Sequence, residues 1–337
     1  METYIEEPMN DVFRWGILGP GAIAKAFATG LAALPDARLV AVGSRSIGRA
    51  EEFARQFGAP RAYGSYAELA GDPDVDAIYV ASPHPFHMEH AVLCLQAGKA
   101  VLCEKPLAVN AAQARTMIAA SHAAGSFLME AMWTRYLPAV QAVREWIRAG
   151  RIGDVLRLEA DFSFRGGWDP ESRHLNPALA GGGLLDVGVY VIALAYWVFG
   201  QEPVEVKSMA RIGKTGVDEQ AAILFRYPDD ALAVLTCGVR IQGPIHARIT
   251  GTEGEIEIPA PFFRAENAIL RKGGQEEVAN HPHLANGYEY EAMEVARCVR
   301  GGLLESPDMS HAESLAIMKQ MDSIRSGWGV RYPFEQA

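Results

Sequence analysis

Short apolar runs alternate with longer helix-forming stretches through the first third of the chain. "RWGILG" (14–19), "RLVAVGS" (38–44), "DAIYVAS" (76–82) and "AVLCEKP" (100–106) read as strands. Between them, "IAKAFATGLAAL" (23–34), "RAEEFARQFG" (49–58) and "HMEHAVLCLQAG" (87–98) have the length and residue types of helices. Strands this uniformly apolar, separated by helices, predict a parallel sheet covered on both faces. Such sheets bind ligands beyond the carboxyl ends of their strands.

Past Glu130 the period changes. "RIGDVLRLEADFSFR" (151–165), "AAILFRYPDDALAVLTCGVR" (221–240) and "HARITGTEGEIEIP" (246–259) alternate apolar and polar positions, with turns at Pro228-Asp229 and 252–254. They predict a largely antiparallel sheet, one face covered by a helix from Gly183 onward. The other face is open and predicts a homodimer or higher oligomer. A last helix (310–326) and a strand at "VRYPF" (330–334) are expected to pack back near the domain junction. The fold class is α/β: a doubly wound dinucleotide-binding Rossmann domain over 1–132, then a substrate-binding and oligomerisation domain over 133–337.

With 337 residues, 49% of them hydrophobic, the chain can bury two cores. Its net charge of −10 argues against nucleic acid or an anionic membrane as partner and leaves small molecules. The apolar run "VGVYVIALAYWVFG" (187–200) is short for a bilayer span and reads as a buried core helix. "METYIEEPMND" (1–11) has neither the basic start nor the apolar core of a signal peptide. Cys94, Cys103, Cys237 and Cys298 lie far apart in mostly apolar surroundings, as in a reduced, cytoplasmic chain.

The turn after the first strand is "GPGAIA", a G-x-G-x-x-A run. Gly19 permits a tight turn, Gly21 close approach of a pyrophosphate, and Ala24 close helix packing; Ala22 and Ile23 open the helix whose N-terminus would hold the phosphates. A merely tight turn would show the same letters, but the place between first strand and first helix favours a dinucleotide. After the second strand stands "GSRS" instead of an acid. Ser44 and Arg45 suit a 2′-phosphate, so NADP is favoured over NAD, unless Arg45 is only a solvated loop charge.

"VLCEKPLAVN" (101–110) ends a buried strand in Glu104, Lys105 and a proline. A buried ammonium needs a partner, either Glu104 or something in a pocket. Asp186 and Tyr190 stand four apart after three glycines, on one face of a helix, and the glycines let that helix approach a ligand. Tyr190 is the candidate base for oxidation and acid for reduction, its phenol lowered by Lys105, with Asp186 orienting substrate or lysine. A short-chain dehydrogenase would carry a lysine four residues on, where Leu194 stands. His84, His87 and His90 lack a completing ligand set, so no metal is expected. With Ser82, His84 is placed at the nicotinamide pocket; His87 and His90 pack near the following helix, and His281 and His283 are solvated.

"GPGAIA", "SPHPFH" (82–87), "CEKP" and "GGGLLDVGVY" (181–190), in this order and spacing, resemble the Gfo/Idh/MocA family of NAD(P)-dependent oxidoreductases over nearly the whole chain. "EAMWTRYLPAV" (130–140) and the tyrosine ending "DVGVY" are similar to its dihydrodiol and D-xylose dehydrogenase branch; most relatives carry histidine at the position of Tyr190. The resemblance implies an N-terminal Rossmann domain, an open C-terminal sheet used in assembly, and Lys105 beside the nicotinamide, often with a cis bond to the proline. Glu104 would neighbour the cofactor. Trp133, Phe162, Phe164, Trp168, Arg173 and His174 border the expected substrate crevice, whose aromatic walls suit a sugar ring or an aromatic diol. The reading is an NADP-dependent oxidoreductase moving a hydride to or from a secondary alcohol or hemiacetal carbon of a sugar, polyol or trans-dihydrodiol. A catalytically silent NADP-binding sensor is the alternative, against which intact Lys105, Asp186 and Tyr190 count.

Overall fold

The computed structural model describes residues 12–335, so the acidic leader lies outside the described residues. Among them the chain forms two sheets. The first pairs β1 (Phe13–Leu18), β2 (Ala37–Gly43), β3 (Arg61–Tyr63), β4 (Ala77–Val80), β5 (Ala100–Glu104) and β6 (Leu128–Ala131) in parallel, in the order β3-β2-β1-β4-β5-β6. Helices α1 (Ala22–Leu31), α2 (Ile47–Phe57), α3 (Tyr66–Ala70), α4 (His87–Gln96) and α5 (Ala111–Ala124) connect them. Every residue of β4 and β5 is buried, as covering both faces demands. Strand order reverses between β1 and β4, which opens the ligand crevice beyond their carboxyl ends.

The second sheet follows α6 (Pro138–Arg148). It contains β7 (Val155–Ser163) and, after α7 (Val189–Phe199), β8 (Glu205–Ile212), β9 (Asp218–Arg226), β10 (Leu232–Gly238), β11 (Ala247–Gly251), β12 (Glu255–Ile258), β13 (Asn267–Lys272) and β14 (Gln275–Asn280). Their order is β14-β13-β12-β11-β7-β10-β9-β8, antiparallel except for the parallel β7–β10 pair. In β9 Ala221, Ile223 and Phe225 turn inward and are buried, while Leu224 is half exposed on the other face. Met209, Leu232 and Val278 share that open face by register, Met209 with 81% of its surface exposed.

Helices α8 (Glu289–Arg300) and α9 (His311–Gly327) return to the first sheet, α8 against α1 and α9 against α5 and β6. The expected strand at 330–334 is not formed. Pro333 has no N–H to pair, and a 3₁₀ turn at Pro333–Glu335 forms in its place, closed by the Tyr332 N–H on Glu335 (3.0 Å) and by Arg325 on the same carboxylate (2.6 and 2.8 Å). The apolar run is longer than 187–200: the helical stretch Pro177–Phe199 has span-like length and mean hydropathy 1.8, yet 89% of its apolar window is buried inside the fold. It is the helix that covers the inner face of the second sheet, against β7 and β10.

Candidate active site

A cavity of about 1040 Å³ lies beyond the carboxyl ends of β1, β2, β4 and β5 and is closed on its far side by residues of the second sheet. One end is the glycine turn. Gly19 has φ +88°, which a side chain would strain, and a Cβ on Gly21 would meet nothing within 4 Å because it would project into the open cavity. No side chain caps the N-terminus of α1, so its first N–H groups are free for an anion. Ser44 and Arg45 line the same end, as does Arg49 in the first turn of α2. Ser82 Oγ and His84 Nδ1 are buried on the cavity wall without a hydrogen-bond partner among the described residues. A phosphate cradle at one end and unpaired polar atoms midway fit a nicotinamide dinucleotide.

Charge gathers at the other end. The Lys105 ammonium donates to the Asp186 carbonyl (2.8 Å) and stands 3.9 Å from its Oδ1, so Asp186 rather than Glu104 is its main partner. The Lys105–Pro106 bond is cis, as the resemblance implies. Glu104 turns inward, accepting from the Tyr79 hydroxyl and from the Lys105 N–H (3.2 Å). Arg173 donates to Asp186 Oδ1 (2.6 Å), and His174 Nε2 lies 3.5 Å from Oδ2. Burial alone would raise the Asp186 pKa, but Lys105 and then Arg173 outweigh it and hold the carboxyl at about 2. Burial pushes Lys105 below the usual lysine range against the pull of Asp186 and Glu104. His84 and His174 are both lowered, chiefly by burial, and are therefore neutral imidazoles at pH 7.

Asp186 and Tyr190 share a face, though not through a regular helix. Residues Leu184–Gly188 form a π turn that runs into α7. The glycines before it serve the fold rather than a ligand. Asp218 of β9 caps the turn, accepting the Leu184 N–H (2.6 Å), and a Cβ on Gly182 would lie 2.3 Å from its Oδ1. Tyr190 differs from expectation in its ionisation. Its Oη accepts from Trp133 Nε1 (3.0 Å), while the Lys105 ammonium sits over the ring, 4.8 Å from its centre. Burial first, then Glu104, raise the phenol well above its ordinary value despite the Trp133 bond, so it is protonated in the cofactor-free protein.

The structure brings Phe162, Phe164 and Arg173 into the cavity wall with Asp186 and Tyr190. Trp133, expected in that wall, lies behind it, buried and stacked on Tyr288 (4.3 Å), where it supports Tyr190. His174 is outside the wall but meets Phe164 edge-on at 5.2 Å, and Trp168 is half exposed under Arg240. His87 is fully buried between the carbonyls of Pro106 (2.9 Å) and Ser82 (2.8 Å), tying two cavity loops together, and His90 meets Tyr66 edge-on. Arg49, Tyr66, Ile245 and Phe263 also line the cavity. The spacing "RSIGR" could have pointed to Arg49; Phe263 and Ile245 come from loops with no local signal. Among the described residues no three His, Cys, Asp or Glu side chains converge as metal ligands.

Two family models match the chain. The oxidoreductase family with an NAD-binding Rossmann fold covers residues 13–132, and the GFO/IDH/MocA C-terminal domain covers 140–257. The trans-1,2-dihydrobenzene-1,2-diol dehydrogenase of Mus musculus is 41% identical over 331 residues, which cover 95% of this chain and 98% of that one. Among solved structures, an aldose-aldose oxidoreductase from Caulobacter crescentus complexed with glycerol superimposes with a TM-score of 0.86 at 26% identity, covering 94% of this chain and 97% of that one. A 3-ketoreductase from Actinomadura kijaniata in complex with NADP and TDP-benzene gives 0.83 at 25% identity, covering 94% and 98%.

Proposed function

Because the chain belongs to the GFO/IDH/MocA oxidoreductase family, we propose that it is an NADP-dependent dehydrogenase acting on a secondary alcohol or hemiacetal carbon of a trans-dihydrodiol, sugar or polyol. The observation that carries this reading is one cavity with a glycine turn and two arginines at one end and Asp186, Lys105 and Tyr190 at the other. The mouse relative's name, over 98% of its length, supports trying trans-dihydrodiols first. In this reading residues 1–132 hold the cofactor and 133–337 supply the substrate end and the open sheet through which copies pair. The buried, unpaired thiols of Cys94, Cys103, Cys237 and Cys298 suit the reducing cytoplasm.

Gly19, Gly21, Ala22 and Ile23 would hold the pyrophosphate, Ser44 and Arg45 with Arg49 the 2′-phosphate, and Ser82, His84, Glu104 and Lys105 the nicotinamide half. When bound, the oxidised cofactor supplies a cationic hydride acceptor. Tyr190 exchanges the proton of the substrate hydroxyl: it gives the proton in reduction, its native protonation state, and takes it in oxidation. Trp133 steadies the phenol oxygen through its indole N–H. Asp186, ionised, holds Lys105 and Arg173 at the substrate end, and Phe162, Phe164 and Phe263 bound the ring-binding space. The test is a panel of trans-dihydrodiols, aldoses, inositols and anhydrosugars, each offered with NADP and with NAD and followed at the reduced-nicotinamide absorbance band. Turnover of a diol or aldose with NADP is expected; no turnover of any panel member would overturn the reading.

A further inference from the structure

Among the described residues three non-glycines have positive φ: Ala180 (55°), Asp230 (63°) and Ile245 (53°). Asp230 sits in the β9–β10 turn, and alanine is small. Ile245 is β-branched, a residue type for which the left-handed region is a genuine outlier. Strain of this kind persists only where surrounding contacts hold it, and it clusters at ligand sites.

The holding contacts are specific. The Ile245 N–H donates to Asp161 Oδ1 (3.1 Å), and its carbonyl accepts from the Phe262 N–H (2.9 Å). Asp161 is itself locked: its Oδ2 accepts from Ser163 Oγ (2.8 Å) and Thr236 Oγ1 (2.6 Å), and the residue is 8% exposed. Gly243 lets the loop pass, since a Cβ there would lie 2.1 Å from Asp161 Oδ1. Asp161 stands opposite Thr236 on the open face of the second sheet, while its neighbour Phe162 lines the cavity. Residues 241–246 therefore wrap the end of β7, anchored on one face and delivering Ile245 to the other. There it joins a wall in which Phe162 stacks on Phe263 (4.3 Å) and tilts against Tyr190 (5.1 Å).

We propose that Ile245 is a specificity-determining residue, an aliphatic stop at the substrate end whose reach is fixed by the Asp161 carboxylate. This rests on the reading of the substrate as a cyclic diol. A flat ring entering along Phe162 and Phe263 meets Ile245 at its edge, so the stop limits ring width.

The experiment compares trans-1,2-dihydrobenzene-1,2-diol with its wider naphthalene counterpart in the full-length protein. Ile245→Gly keeps the left-handed backbone without strain and removes the stop, so the ratio of kcat/KM values, wide over narrow, should rise by roughly tenfold or more. The NADP Kd should stay unchanged. Ile245→Val shortens the stop by one methylene and should raise the ratio by less than Ile245→Gly does. A crystal structure of Asp161→Ala should show Ile245 at negative φ. An unchanged ratio in Ile245→Gly, with wild type oxidising either diol, overturns the inference and leaves the functional reading intact. If wild type oxidises neither diol, the substrate reading fails, and the Asp161→Ala structure decides: Ile245 still at positive φ would overturn the anchor, and its relaxation would support it.

Discussion

Glu291 offers a sharp test of the electrostatics beneath the site. It lies on α8, fully buried, and neither carboxyl oxygen has a hydrogen-bond partner among the described residues. Burial, followed by the nearby Glu104, raises its pKa well above 4.5. The folded protein keeps the proton, while the unfolded chain releases it above about 4.5. With one more proton bound in the native state, stability falls as pH rises, by about 1.4 kcal/mol per pH unit between the two pKa values. Glu291→Gln removes that linkage at constant shape. The stability difference, variant minus wild type, should be smallest near pH 4.5 and grow in favour of the variant by that slope. At about 2.1 cal/mol/K per residue, the 337 residues unfold with an entropy near 0.7 kcal/mol/K. One pH unit is then worth about 2 °C in the difference between the two melting temperatures. Glu104, Glu130 and Asp218, also raised by burial, titrate in both proteins and largely cancel in the difference. Differential scanning calorimetry from pH 4.5 upward measures the slope; parallel melting curves, or a variant that loses ground as pH rises, would refute the reasoning. The result bears on catalysis because an ionised Glu291 would push Tyr190 further up.

Arg45→Ala should shrink the preference for NADP over NAD by at least about tenfold, the worth of a charge-assisted phosphate contact; equal affinities in the wild type, by titration of both cofactors, would contradict it. Tyr190→Phe should slow turnover by the roughly 10²–10⁴-fold of a lost acid–base group with cofactor affinity little changed, and near-normal turnover with a rate-limiting deuterium effect would exclude the phenol as proton carrier. Since the Tyr190 phenol is raised, carbonyl reduction should hold its rate through neutral pH and alcohol oxidation should climb toward alkaline pH; a reduction rate already falling between pH 7 and 8 would count against the assignment. The open sheet face bearing Met209, Leu224, Leu232 and Val278 should make the protein elute as a dimer or larger, and Leu224→Arg should weaken that assembly; a monomeric wild-type mass by light scattering at micromolar concentration would refute it.

Much of this was legible where chemistry and local period coincide. The central strands of the first sheet read clearly because each is buried on both faces, and β3 escaped because three half-buried residues carry no period. The glycine turn reads from sequence since its residues act through their own backbone. Lys105 could be flagged from a buried ammonium needing a partner, but Asp186, 81 residues on, could be fixed as that partner only by the meeting of the two sheets. The glycines 181–183 point away from a ligand for a related reason: the space at Gly182 and Gly183 is filled by Asp218, on a strand formed later in the chain, and that at Gly181 by the His174 and Asn176 backbone. A lysine beside Tyr190 predicts a lowered phenol, but the ammonium lies over the ring, and burial, with Glu104, acts on the oxygen.

Asp186 joins the two sheets at the site. Its carboxylate sits in a π turn of the second unit, capped from β9 by Asp218, while Lys105 arrives from the end of β5 in the first. Arg173 comes from the loop before the turn. Removing the carboxylate would leave Lys105 nearly buried with one carbonyl and the charge of Glu104 to hold it, and a buried cation that loses its main partner shifts further toward its neutral form. The Lys105–Asp186 contact is therefore a property of the assembled pair of sheets, whereas the Arg173–Asp186 pair lies within the second.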